Sequence, residues 1–219
     1  MRKVIILIFI LTTTSVCVAQ SIKGGLAVGF NISQVDGDEV YGYHKYGINV
    51  GPMAIVPIGK SFSVSIETLY NQKGSFQSPR FNDSLNGAYK LILNYVEVPV
   101  LFCYTDKEII KFGTGFSWGR LVQFKEWEHE NRVSWTNPYG PYKNNDVDVL
   151  LDIQLKLFTG LNFNFRYAYS VGKIRTREFH NVFGNTWTRK QFNNLLSFRL
   201  VYIFKDTPTI KPKKDKDLK

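Results

Sequence analysis

The sequence predicts an all-β protein, an eight-stranded antiparallel up-and-down transmembrane β-barrel. In the run IKGGLAVGFNI at 22–32, every even position is apolar or glycine and every odd position is small or polar. A period of two is typical of a β-strand with one apolar face. Glycine and alanine on the other face suit the cramped inside of a narrow barrel better than open water. The apolar face is therefore expected to point outward, into lipid.

Seven further segments repeat this alternation, each near the ~9–11 residues that a tilted strand needs to cross a bilayer. They are 46–58, 62–71, 92–104, 110–118, 147–157, 161–171 and 192–204. The connections alternate between long polar loops and tight turns such as 59–61. Outer-membrane barrels have long loops outside and short turns in the periplasm, so both chain ends are expected on the periplasmic side.

The chain divides into three predicted parts. Residues 1–19 are predicted to be a signal peptide. Arg2 and Lys3 precede a short apolar run, and small residues before the expected cleavage site after Ala19 complete the pattern. A lipoprotein anchored through Cys17 is the less favoured alternative. Residues 20–204 form the barrel domain, and 205–219 form a disordered basic periplasmic tail. The leader and tail carry five of the ten net positive charges, so a nucleic-acid partner is not needed to explain the basic composition.

Aromatic residues on the apolar face collect near the strand ends, which is typical of the belts that flank a lipid-facing band. The predicted outer girdle is Phe30, Tyr46, Tyr70, Trp118 and Tyr169, and the predicted inner girdle is Phe62, Tyr104, Phe112, Phe163 and Phe204.

The opposite face is polar and ionic. An eight-stranded barrel is just wide enough for side chains to fill it, and a buried ion needs a partner. We therefore expect a structural interior ion network formed by Glu67, Glu97, Asp152, Lys156, Arg166 and Arg199. A proton or ion path is the less favoured function for these residues. Pro52 and Pro99 lie within predicted strands, where we expect β-bulges because proline donates no ladder hydrogen bond.

Several stretches resemble the PorT-like outer-membrane β-barrel family of Gram-negative bacteria. The most specific are Glu–x–x–Tyr–x–Gln–Lys–Gly at 67–74 and Asn–Tyr–x–Glu–x–Pro at 94–99. The resemblance implies an eight-stranded barrel in the outer membrane, inserted by the outer-membrane barrel assembly machinery. The motifs alone do not transfer the secretion role of the family's name-giving member, and a component associated with protein secretion across the outer membrane is kept as an alternative function. Such barrels usually end on an aromatic residue, whereas here fifteen residues follow Phe204.

The residues favour a non-enzymatic envelope or surface-interaction protein without cofactor or metal. The run EWEHE at 126–130 lacks the second segment that a metal site would need. A rim-located lipid enzyme that uses Ser117 or Ser170 with His180 is an alternative, as is a soluble lipocalin-like binder. The expected partners are outer-membrane lipid and lipopolysaccharide. Loop aromatics such as Trp127 and Trp187 are expected to rest on the barrel rim. Contact with a protein partner, whose identity the sequence leaves open, is the less favoured alternative.

Overall fold

A computed structural model describes residues 22–79, 87–129, 131–133, 142–180 and 184–204. The predicted signal peptide and tail lie outside these residues. No helix in the described part of the chain is long and apolar enough to cross a membrane. The strands are β1 (Lys23–Asp36), β2 (Lys45–Ile58), β3 (Phe62–Glu67), β4 (Leu69–Gln77), β5 (Tyr89–Asp106), β6 (Ile110–Glu128), β7 (Asn131–Arg132), β8 (Asn145–Phe158), β9 (Leu161–Ser170), β10 (Arg175–His180) and β11 (Thr186–Ile203).

The strands close into a ring of eight antiparallel strands, in which β3 and β4 form one interrupted strand. Val28 of β1 lies opposite Val50 of β2 on one side and Leu200 of β11 on the other. From β2 the ring passes through β3 and β4, then through β5, β6, β8 and β9, back to β11. The predicted fold class is confirmed, and a closed ring leaves no unpaired sheet edge among these strands.

Bulky hydrocarbon points away from the barrel axis. Leu26 and Val28 are 41% and 49% exposed, whereas Ala27 between them is fully buried. Small residues are required inside, because a Cβ atom on Gly29 would lie 2.2 Å from the backbone oxygen of Phe198 on the adjacent strand. The alternation of the sequence therefore corresponds to an apolar outer surface and a crowded interior.

β6 continues to Glu128, well beyond the predicted segment 110–118, and β5 begins at Tyr89, three residues before the predicted segment 92–104. The ends of β5 and β6 that lie towards the long loops pack against an apolar cluster inside the ring. This cluster includes Leu91, Leu93 and Ile174. These residues supply the burial that keeps the two strands regular where the sequence predicted loops.

The predicted loop at 173–191 also contains regular structure. β10 pairs with the first part of β11, and Phe179 stacks on Trp187 with ring centroids 5.9 Å apart. Aromatic cross-strand pairs of this kind stabilise a hairpin.

The expected bulges at Pro52 and Pro99 are absent, because the register does not shift at either residue. The ring is instead interrupted at Thr68, which separates β3 from β4 without changing their common register with β2 and β5. The backbone N–H of Thr68 donates to the carbonyl oxygen of Pro52. Proline has no N–H, so the second hydrogen bond of this residue pair cannot form. The register shifts lie elsewhere, at Asn94/Tyr95 and at Lys156/Phe158.

Leu151→Arg tests the lipid-facing assignment, because Leu151 lies near the middle of β8 and is 55% exposed. We expect this variant to lose about 2–4 kcal/mol of unfolding free energy in phospholipid vesicles, measured by urea titration. Leu157→Arg, near the end of the same strand, is the matched control and should cost about 0–1 kcal/mol. Equal costs at the two depths would contradict membrane burial of this face.

Candidate functional site in the barrel lumen

The lumen contains three groups of buried charged side chains at different heights. They are named here the lower cluster (Glu67, Asp152, Asn164, Arg166 and Arg199), the middle cluster (Lys73, Glu97, Asp146 and Asp148) and the upper cluster (Tyr89, Glu126, Tyr142, Arg175 and Arg177). The period of two places those that belong to strands on the inner face of their strand, and Tyr142 reaches the upper cluster from the segment before β8.

Glu67 is the centre of the lower cluster. Arg166 donates to both carboxylate oxygens of Glu67, at 2.8 and 3.1 Å, and Arg199 donates to Oε2 at 2.8 Å. Arg166 Nε also donates to Asp152 Oδ1 at 2.6 Å, and Arg199 Nε donates to Asn164 Oδ1 at 2.8 Å. Two guanidinium groups thus balance two carboxylates, in the bidentate geometry that makes buried pairs strongest.

The middle cluster places one ammonium group among three carboxylates. Lys73 Nζ lies 2.7 Å from Glu97, 3.2 Å from Asp146 and 2.5 Å from Asp148, and all four side chains are buried. The ammonium group also lies 4.9 Å from the centre of the Tyr95 ring. The carboxylates of this cluster therefore outnumber its one ammonium group.

Neutral side chains also form hydrogen bonds with these carboxylates. Asn193 Nδ2 donates to Asp146 at 2.7 Å, and Asn71 Nδ2 donates to Glu97 at 2.8 Å. The Ser170 hydroxyl lies 3.0 and 3.1 Å from Asp146 and Asp148. Hydrogen bonds to ionised acceptors are stronger than neutral ones, so these amides and the hydroxyl stabilise the carboxylates.

The upper cluster closes the outer end of the lumen. Glu126 accepts hydrogen bonds from Arg175, at 2.9 Å, and from the Tyr89 hydroxyl, at 2.8 Å. Arg175 also donates to the Tyr142 hydroxyl oxygen at 2.6 Å, while Arg177 pairs with Glu128. Burial, followed by the charge of Glu126, raises the pKa of the Tyr142 hydroxyl well above its usual range.

A cavity of about 250 Å³ opens at the opposite, short-turn end. Lys23, Lys60, Lys111 and Lys156 line it together with Glu108. Between this cavity and the lower cluster, a pocket beside Cys103 measures about 10 Å³. That is about one water molecule at most, so side chains block the lumen above the cavity.

The structure divides the ionic residues proposed from the sequence. Glu67, Asp152, Arg166 and Arg199 come together, whereas Glu97 contacts Lys73 instead of the arginines. Glu97 lies opposite Leu69, two residues beyond Glu67, and this places it in the middle cluster. Lys156 lines the cavity at the mouth.

Sequence reasoning missed Lys73, Asp146, Asp148, Glu126 and Arg175. Asp146 and Asp148 share the phase of Asp152, and Lys73 shares that of Glu67, so the alternation could have located them. Asp146, Glu126 and Arg175 were assigned to loops, because the apolar runs end before these positions. Asp148 lies inside the predicted strand 147–157 and Lys73 lies just beyond the predicted strand 62–71, but neither was recognised as an interior ion.

Most of the predicted girdle residues lie on the outer surface. Phe62, Tyr104 and Phe112 are direct cross-strand neighbours at the short-turn end. Tyr46, Tyr70, Trp118 and Phe204 are exposed, and Tyr169 and Phe163 are half-buried. Phe30 lies nearer the short-turn end than expected, because β1 continues beyond it to Asp36. Its ring stacks on Phe198 in the middle of the lipid-facing surface.

The alternative chemical sites are not assembled in the described residues. Ser117 and Ser170 are buried within the lumen, away from the rim, and the His180 side chain lies outside what the structure describes. Glu126 and Glu128 of the EWEHE run pair with arginines. Among the described residues, no group of three or more His, Cys, Asp or Glu side chains could hold a metal ion.

A family model described as "Outer membrane protein beta-barrel domain" matches residues 18–175. No curated protein sequence matches the chain. Similar solved structures include Ail of Yersinia pestis, with 12% identity, a TM-score of 0.49 and coverage of 83% of this chain and 98% of that one. Neisserial surface protein A has 10% identity, a TM-score of 0.47 and coverage of 83% and 95%. OprG of Pseudomonas aeruginosa has 12% identity, a TM-score of 0.38 and coverage of 84% and 94%.

Lys73→Met removes the single cation of the middle cluster and leaves three buried carboxylates. We expect it to cost about 3–5 kcal/mol of unfolding free energy in vesicles. The exposed Lys143→Met should change the free energy by less than about 0.5 kcal/mol. Asp148→Asn removes one of these carboxylates and should cost far less than Lys73→Met. A larger loss for Asp148→Asn would contradict this charge balance.

Asp38, in the loop after β1, should give the stability a pH dependence. Burial raises the pKa of Asp38 from 3.8 to about 6. Because the folded state binds this proton more tightly than the unfolded state, the contribution is fully present below pH 3.8 and is lost as pH rises through about 6.

Asp38→Asn mimics the protonated group and keeps an oxygen for the Val40 N–H. Its stability relative to the unmodified protein should increase between pH 4 and 6 by on the order of 3 kcal/mol and then remain constant. Urea titrations in vesicles at each pH measure this difference. A difference that does not change with pH would refute the assignment.

Proposed function

Because the chain belongs to the outer membrane protein beta-barrel domain family, we propose that it is a small, closed, non-enzymatic barrel of a Gram-negative outer membrane. It acts as an envelope or surface-interaction protein, with its long loops outside and its termini in the periplasm. The observation that carries this proposal is the blocked lumen. Paired charges fill two levels, an apolar group with the upper cluster fills the third, and the pocket between the mouth and the lower cluster measures about 10 Å³.

The residues that carry the PorT-like resemblance support the barrel itself. Glu67, Lys73 and Glu97 form the ion clusters of the lumen. Tyr70 lies in the exposed outer belt, and Tyr95 lies beside Lys73. These motifs are therefore explained by closing and embedding the ring, and they give no separate support to a role in secretion.

The long-loop end of the barrel carries aromatic and arginine side chains that a protein partner could contact. The β10–β11 hairpin presents the stacked pair of Phe179 and Trp187, with Arg177 4.9 Å above the Phe179 ring. The Trp187 indole donates to Glu39 of the first long loop at 3.1 Å. Rigid aromatic side chains with adjacent arginines are favoured in binding surfaces, which supports surface interaction as the function.

Planar-bilayer recording of the full chain tests the closed lumen. We expect the folded barrel to migrate differently on a denaturing gel before and after boiling, and to give no resolved single-channel current steps. An open porin under the same conditions is the positive control. Regular current steps would overturn the closed barrel, and release of fatty acids from added lipopolysaccharide would overturn the non-enzymatic assignment.

A further inference from the structure

The outer surface of β4, β5 and β6 carries a row of amide side chains. Gln72 Nε2 donates to Asn94 Oδ1 at 3.0 Å, and Asn94 Nδ2 donates to Gln123 Oε1 at 3.0 Å. The row lies one outward-facing position beyond Tyr70 and Val96, which are exposed and opposite each other. Amides are costly in hydrocarbon, so this row marks the level at which lipid tails give way to headgroups.

Four cations lie near this amide row, and one of them, Lys45, donates from Nζ to Gln72 Oε1 at 3.3 Å. Arg120 lies opposite Val96, Lys125 lies opposite Ile92, and Lys90 lies opposite Trp127, whose ring centre is 5.4 Å from the ammonium group. Arg120 and Lys90 are exposed, and Lys125 is half-buried. We name Gln72, Lys90, Asn94, Arg120, Gln123 and Lys125 together the outer basic patch.

No outward-facing carboxylate offsets these charges on the described upper parts of the three strands. Glu126 and Glu128 of β6 point inward and pair with Arg175 and Arg177. Across the barrel, the matching level of β1 and β11 carries an acid, since Asp36 accepts from Gln34 at 2.7 Å and from Asn194 at 3.2 Å. The side of the barrel opposite the basic side chains thus carries a negative charge at this level.

We propose that the outer basic patch binds the phosphate-bearing sugar headgroup of a lipopolysaccharide molecule in the outer leaflet. Arginine and lysine bind phosphate oxygens. Gln72 and Gln123, at the two ends of the row, provide donors and acceptors for sugar hydroxyls, while the buried Asn94 holds the two glutamines in place. The acyl chains of the same molecule then lie along Tyr70, Val96 and Trp118, directly below the patch. This continuity from hydrocarbon to cation selects a lipid-borne phosphate over a free one, and it rests on the membrane placement in the proposed function.

Native mass spectrometry of the full chain in detergent, titrated with diphosphoryl lipid A, tests the patch. The triple variant Lys90→Gln, Arg120→Gln, Lys125→Gln should weaken lipid A binding by roughly tenfold or more, because each basic residue at a membrane surface adds attraction for anionic lipid. The matched control Lys143→Gln, Lys173→Gln, Lys190→Gln removes the same charge elsewhere on the outer end and should leave binding unchanged. Equal affinity of the two triple variants would overturn the proposal.

Two further arms identify the source of the phosphate. Monophosphoryl lipid A should bind the unmodified protein more weakly than the diphosphoryl form, and inorganic phosphate at the same concentration should not displace either. Displacement by inorganic phosphate would overturn the lipid assignment in favour of a free anion. Both triple variants must retain the heat-dependent gel mobility of a folded barrel. Loss of that mobility in the unmodified protein would instead refute the proposed function.

Discussion

The ion pairs of the Glu67 carboxylate with Arg166 and Arg199 are the interaction on which the polar interior of this barrel depends. Glu67 lies on β3 and Arg166 on β9, which occupy opposite positions in the ring of eight strands. Their hydrogen bonds therefore cross the lumen and connect its opposite walls. Such charges can be kept out of water only as hydrogen-bonded pairs, so the inner face must supply every partner. The outer face is then left to hydrocarbon, as the exposed Leu151 and Phe116 show.

The polarity of the wall reverses along β5. Near the membrane, Val96 and Val100 point outward and Glu97 points inward. Higher up, Lys90 points outward, while Leu91 and Leu93 are buried in the apolar cluster with Ile174. The outward-facing side chains of this one strand therefore suit lipid along one part of its length and water along the other. The upper part of the molecule is organised like a soluble protein, with an apolar interior and the Glu126–Arg175 pair at its edge.

The sequence predicted the strand faces well, because the alternation of Glu67 and Arg166 with bulky apolar neighbours defines which side each residue occupies. It could not predict heights, which depend on the register between neighbouring strands. Glu97 was therefore grouped with Arg166, although its position opposite Leu69 brings it to Lys73. The strand ends were missed for a related reason. Where the polarity of the wall reverses, both faces of β5 and β6 contain apolar and polar residues, and the contrast that marks a membrane strand disappears.

Cys103 is a free thiol in the lumen, 3% exposed and close to Gly113. Exported proteins meet an oxidising environment, in which an accessible thiol forms mixed disulfides or sulfenic acid. Burial inside the ring limits the access of thiols and oxidants to this sulfur. Rapid modification of Cys103 therefore reports an opened ring and not the chemistry of the barrel surface.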